Sequence, residues 1–278
     1  MTQTLRLKNA LAALILAATC GPLAAHELWI DVNPSDSSID AGFSADLRVG
    51  QNLSGPDLPY LDTAIKAMTH VGPDEVWAIA ARLGDRPAIG NLSAMTAGLH
   101  ILTVETHPAY IVFDTMSEFE DYLAYEGLSD VANLHRDRGL PVSRIAEEYI
   151  RNARALVQVG PVDAGDMDRA AGMPFEIVVM GTPFAEGQQD LQVRLTWQGR
   201  AANGVQIALF HLPCGGSAPD DTLRVITRTG SDGDARFELK GAGKYLLSAV
   251  RMEPVDGPGN VVWQSHWASL TLDIKDIE

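Results

Sequence analysis

The chain of 278 residues is poor in cysteine, in aromatic side chains and in positive charge. Its two cysteines, Cys20 and Cys214, are too few for a Cys-rich zinc site or a disulfide-stapled scaffold. With 21 Lys+Arg against 36 Asp+Glu the formal net charge is −15, which repels phosphate backbones and argues against nucleic acid as a partner. No apolar run reaches the roughly 20 residues that a membrane-spanning helix requires, so no transmembrane segment is expected in the mature chain. His-x-His, His-Glu-x-x-His, Cys-x-x-Cys and the Gly-x-Ser-x-Gly nucleophile elbow are all missing, and no Gly-rich phosphate loop follows an early strand. What is present is a globular composition, 46% hydrophobic and long enough for two modest domains.

The N-terminus has the three parts of a secretory signal. Arg6 and Lys8 precede an apolar run from Ala10 to Ala18, and Gly21-Pro22 then leads to Leu23-Ala24-Ala25. Residues 1–25 are therefore expected to be a signal peptide cut after Ala25, which places the mature protein outside the cytoplasm, most simply in a bacterial periplasm. Cys20 raises lipidation as an alternative, although Thr19 and Ala17 stand where a lipobox has a small residue and Leu. A cut after Ala25 discards Cys20 and leaves Cys214, in Leu-Pro-Cys-Gly-Gly, as either a buried small hydrophobe or an exposed thiol.

Short alternating runs with turn residues between them, such as Leu28-Trp29-Ile30-Asp31-Val32, Ala45-Asp46-Leu47-Arg48-Val49 and Leu99 to Val104, point to a β-sandwich over 26–116. The pattern changes at Ser117. Acidic residues in the first turn, Phe119, Tyr122 and Leu123 on one face, and Gly127 at the end predict a capped helix. Ile145, Ala146, Tyr149, Ile150 and Ala153 recur at three- and four-residue spacing and predict a second helix over 143–154, with Leu134 to Pro141 as an exposed loop. Together these form an expected helical insertion over 117–156. From 157 to 278 strand signals return, with Asn203-Gly204 and Asp232-Gly233 as hairpin dipeptides. The expected fold class is mainly β, two Ig-like or transthyretin-like β-sandwich domains with a helical insertion between them.

Several segments carry a family resemblance: Ala25-His26-Glu27-Leu28-Trp29-Ile30 at the mature start, Phe119 to Leu128, Glu148 to Gly160, Ser231 to Phe237 and Ala242 to Ala249. In this order they resemble a secreted family labelled as the periplasmic component of nickel/cobalt transport, the NikM-like domain of unknown function. The resemblance implies an Ig-like sandwich, a helical insertion and a transthyretin-like sandwich. It also implies nickel or cobalt as cargo and an inner-membrane metal transporter as partner, while Cu enters as a third candidate from the histidine chemistry below.

If the signal is cut after Ala25, His26 gains a free α-amine next to its own imidazole Nδ1. Their unperturbed pKa values, about 7.7–8.0 and 6.5, let both lose protons to a metal near neutral pH. Such nitrogen donors suit Cu(II), Ni(II) or Zn(II). His26 is the first candidate ligand, and His100, His107 and His266 are further candidates. His70 and His135 read as loop residues, and His211 lies three residues before Cys214. For each of these six the competing reading is an ordinary solvated or hydrogen-bonded histidine. Asp163, Asp166 and Asp168, like Asp220-Asp221, read as solvated loop acids without calcium-loop spacing. No catalytic residue set stands out. The leading expectation is a periplasmic metal-binding protein for uptake or delivery. Two alternatives are a carbohydrate- or protein-binding module with Trp77, Trp197, Trp263 or Trp267 exposed, and an extracellular copper-brace enzyme.

Overall fold

The computed structural model describes residues 26–275 apart from 35, 39–40, 94–95 and 258. The expected signal peptide, residues 1–25, lies outside the described residues. The first half holds β1 (Glu27–Asn33), β2 (Asp36–Ser37), β3 (Phe43–Gly50), β4 (Asp57–Leu58), β5 (Ile65–Val71), β6 (Val76–Ala78), β7 (Ile89–Leu92), β8 (Gly98–Thr106) and β9 (Ala109–Thr115). Two helices follow, α1 (Met116–Tyr125) and α2 (Ser129–Asp137), and then β10 (Ser143–Val159). The second half holds β11 (Phe175–Val179), β12 (Asp190–Trp197), β13 (Arg200–Ala201), β14 (Gln206–Pro213), β15 (Leu223–Arg228), β16 (Asp234–Glu238), β17 (Gly243–Pro254) and β18 (Val261–Ile274).

The fold is mainly β, and its two sandwiches share one sheet. A ten-stranded sheet runs β15-β14-β17-β18-β10-β8-β5-β6, with β2 and β9 also paired to β10. Strand alternation gives this sheet two apolar faces. On one, Leu102, Val104, Ala153, Ala155 and Val157 pack against Leu28, Ile30, Phe43 and Leu47 of the β1-β3-β4-β7 sheet. On the other, Ile101, Leu156, Leu209, Leu247 and Leu270 pack against Phe175, Ile177, Val193 and Phe237 of the β11-β12-β13-β16 sheet. Lys244 ties the first pair of layers at the rim, 2.7 Å from Asp31 of β1 and 3.0 Å from Asp273 of β18.

The first helix forms where the sequence places it. Thr115 caps it by accepting from Glu118 N–H at 3.2 Å, and the Glu118 carboxylate accepts in return from Asp114 N–H at 3.0 Å. Phe119, Tyr122 and Leu123 are buried against Phe113, Trp263 and Trp267. The rest of the expected insertion is different. Residues 143–154 are not helical but belong to β10, the longest strand at 17 residues. Their three- and four-residue spacing overlaps the alternation Ile145, Glu147, Tyr149, Arg151, Ala153, and pairing on both edges decides between the two periods. Residues 134–137, the start of the expected loop, instead complete α2, and His135, far from lying in a loop, is fully buried. Strands β5, β9 and β15 also lie outside the expected set.

A buried ion triad fastens the linker after β10 to both neighbouring layers. Arg154 of β10 lies 2.7 Å from Asp168 and 3.2 Å from Glu176 of β11, all with side chains at most 1% exposed. Asp168 also accepts from Val179 and Arg169 N–H, and Glu176 from Ala171 and Gly172 N–H. Asp168 is thus a buried structural acid rather than a solvated loop residue. Removing the guanidinium leaves two carboxylates unpaired in the interior, so Arg154→Ala is expected to lower stability by about 3–5 kcal/mol in urea unfolding. A loss below about 1 kcal/mol would show that water or rearrangement replaces the guanidinium.

Candidate functional site

His26 stands at the entry to β1, half-buried, beside a polar cluster drawn from β1, the end of α1, β10 and β15. Arg151 of β10 donates from Nη2 to the His26 carbonyl at 2.9 Å, and its guanidinium lies 4.3 Å from the Tyr149 ring centroid. Arg224 of β15 lies 4.0 Å from the Tyr125 ring centroid and donates to the Tyr125 carbonyl at 2.8 Å. Around these two cations sit three buried carboxylates: Glu27 of β1, Glu126 just after α1, and Glu147 of β10.

The charges do not balance, and burial makes the surplus costly. Desolvation pushes the Glu27 carboxyl up to about 7, against the pull of Arg224 and Arg151. Glu126 is raised well above the usual carboxylate range, first by burial and then by the charge of Glu27. Glu147 is raised to about 7 by burial. Its Oε1 accepts from the Tyr122 hydroxyl at 3.1 Å and from Ser265, whose Oγ in turn accepts from Trp267 Nε1–H at 3.0 Å. Its Oε2 is buried and has no hydrogen-bond partner among the described residues. Burial and the nearby Arg151 lower the His26 pKa, which keeps this imidazole neutral, with a free lone pair, near pH 7.

The other candidate histidines lie elsewhere. His100 and His70 are bonded to each other across β8 and β5, with His70 Nε2 2.7 Å from His100 Nδ1. Because His100 Nε2 contacts the Thr96 carbonyl at 2.9 Å and must donate there, His70 Nε2–H donates to His100 and the buried His70 Nδ1 has no partner. Burial lowers His70 to about 4, and it is a core residue rather than a loop one. His107 is exposed in the turn between β8 and β9. His266 packs on Trp197 at 4.4 Å, on the opposite face of the central sheet from β1. His135 accepts from Trp263 Nε1–H at 3.0 Å and lies 2.9 Å from the Pro141 carbonyl, and His211 stacks on Tyr245 while Cys214 is exposed. His100 is thus engaged with His70, and His266 with Trp197 across the central sheet from β1. Among the described residues no group of three or more His, Cys, Asp or Glu is placed to hold a metal ion. Trp263 and Trp267 are buried, at 0% and 2% exposure, and Trp77 is the most exposed of the four candidate tryptophans at 36%.

Glu27, Glu126, Glu147, Arg151 and Arg224 are absent from the sequence-derived candidates. Glu147 and Arg151 sit inside a segment read as a helix; alternation along a strand puts both on the face that meets β1. Nothing local marks Glu126 or Arg224. Residues 23–253 match the model of a family described as a domain of unknown function (DUF4198). No curated protein matches the chain. Among the described residues no helix is long and apolar enough to cross a membrane.

The sign of the Glu147 shift fixes a pH effect. A carboxyl whose folded pKa lies above its unfolded value of 4.5 stabilises the fold when protonated, and that contribution is lost as pH rises towards about 7. Glu147→Gln removes the ionisation and keeps an acceptor for Tyr122 and Ser265. Relative to wild type, the variant should gain roughly 3 kcal/mol between pH 4.5 and pH 8 in denaturant titrations. Taking the difference cancels groups such as His70, whose depressed pKa acts in the opposite direction. A difference independent of pH would show that Glu147 does not titrate in this window.

Proposed function

We propose, for a chain that belongs to the DUF4198 family of domains of unknown function, a role as a periplasmic metal-binding protein that takes up or delivers a divalent transition metal. The ligand-bearing residue is His26, made the first residue of the mature chain by cleavage after Ala25, and the recipient or donor is an inner-membrane metal transporter. The observation that carries this reading is the placement of a half-buried, neutral His26 beside buried acidic side chains that two arginines leave only partly compensated.

The residues present suit such a cation in chemistry. His26 would bind through its α-amine and imidazole Nδ1, a nitrogen pair that favours Cu(II) and Ni(II) over harder ions. A bound cation would also offset the negative charge for which Glu27 and Glu126 otherwise need protons. Since the described side chains form no ready three-ligand cluster, the α-amine is the indispensable donor. Metal binding in this form therefore depends on processing, and an uncleaved chain would bind weakly.

Mass spectrometry of the secreted protein's N-terminus, followed by titration with Cu(II), Ni(II) and Co(II), tests the proposal. The expected results are a start at His26 and at least tenfold weaker binding by His26→Ala for the preferred metal. A start at another residue, or equal affinity of the variant, refutes it.

A further inference from the structure

A second concave site lies away from His26, where the end of α2, the start of β10 and the β17–β18 turn meet. It is a cleft of about 790 Å³, within the roughly 300–1,000 Å³ usual for small-molecule sites. Val112, Leu140 and Val261 contribute apolar wall, and Arg138 and Arg144 contribute the positive charge.

The two arginines differ in what already holds them. Arg138 is fixed: it donates to the Val262 carbonyl at 3.0 Å and the Val255 carbonyl at 2.8 Å, pairs with Asp256 at 2.9 Å, and lies 4.9 Å from the Trp263 ring centroid. Arg144 is exposed and makes no side-chain hydrogen bond or ion pair with any of the described residues. In a chain with a net charge of −15, a cation left without an acid in a concavity is itself informative. Arg144 also has φ 53°, a left-handed conformation that non-glycine residues rarely adopt. Strain of this kind collects at ligand clamps, where the backbone holds a side chain in a place it would not otherwise reach.

We propose that this cleft binds a small organic monocarboxylate with an apolar body, with Arg144 gripping the carboxylate. The guanidinium fork matches a carboxylate in bidentate fashion. Arg138 closes one wall, but its charge is already matched by Asp256, and the Asp256 carboxylate repels a second negative charge on the ligand. The site thus prefers a monoanion to a dianion. The apolar lining receives the rest of the molecule.

The probe is benzoate, titrated against the full mature protein by saturation-transfer NMR, with benzamide as the neutral analogue and phenyl phosphate as the dianion. Benzoate should bind at least tenfold more tightly than either control. Arg144→Gln should weaken benzoate at least tenfold. Arg144→Gly should do the same while leaving Tm equal to or above that of wild type, because glycine tolerates the left-handed backbone. His26→Ala should leave benzoate binding unchanged, which separates this site from the proposed metal site. Benzoate binding no tighter than benzamide or phenyl phosphate, or undiminished in both Arg144 variants, or lost in His26→Ala, overturns the proposal.

Discussion

A strand covered on both faces must find apolar neighbours or polar partners for its side chains, and β10 faces this demand from Ile145 to Val159, beyond its exposed start at Ser143 and Arg144. One face carries Arg154 into the ion triad with Asp168 and Glu176, beneath the second flanking sheet. The other carries Glu147 and Arg151 towards α1 and His26. The same strand pairs with β18 in parallel and with β8 and β9 antiparallel, so it joins the two halves of the molecule into one sheet. Both the structural polar core and the candidate site hang from this strand.

The two sets of buried acids are built differently. Asp168 and Glu176 each accept backbone N–H groups from the linker and β11 in addition to the Arg154 pairing. Donors of that kind are fixed by the fold. Glu147 has two hydroxyl donors on one oxygen and none on the other. Glu27 and Glu126 face each other's charge and share the pull of Arg224. Carboxyls raised to about 7, as Glu27 and Glu147 are, exchange protons near neutral pH, which is what the proposed cation site requires.

The strands with clean alternation and turn punctuation, β1, β3, β8, β12 and β16 among them, were legible from the sequence, and so was α1, whose Thr115, Ser117 and Glu118 start and Gly127 stop give it local definition. The nature of β10 was not. Ile145, Ala146, Tyr149, Ile150 and Ala153 satisfy a helical period almost as well as an extended one, and only the strands on either edge, one of them more than a hundred residues later, select the extended form. His70 and His135 looked like loop residues because their partners, His100 and Trp263, belong to other strands. His26 was visible through its position after Ala25. The acids and arginines around it were not, because they come from β1, the end of α1, β10 and β15, and no local pattern records such a meeting.

The last strand of the chain is not at the edge of the sheet. β18 lies between β17 and β10, with Ala146 opposite Val261 and Ala155 opposite Thr271. During synthesis β10 is therefore complete in sequence while one of its edges is still bare, and that edge stays open until residue 274 is released. Neither half can finish on its own, and the contacts that complete the sheet are among the most distant along the chain, which makes for slow closure.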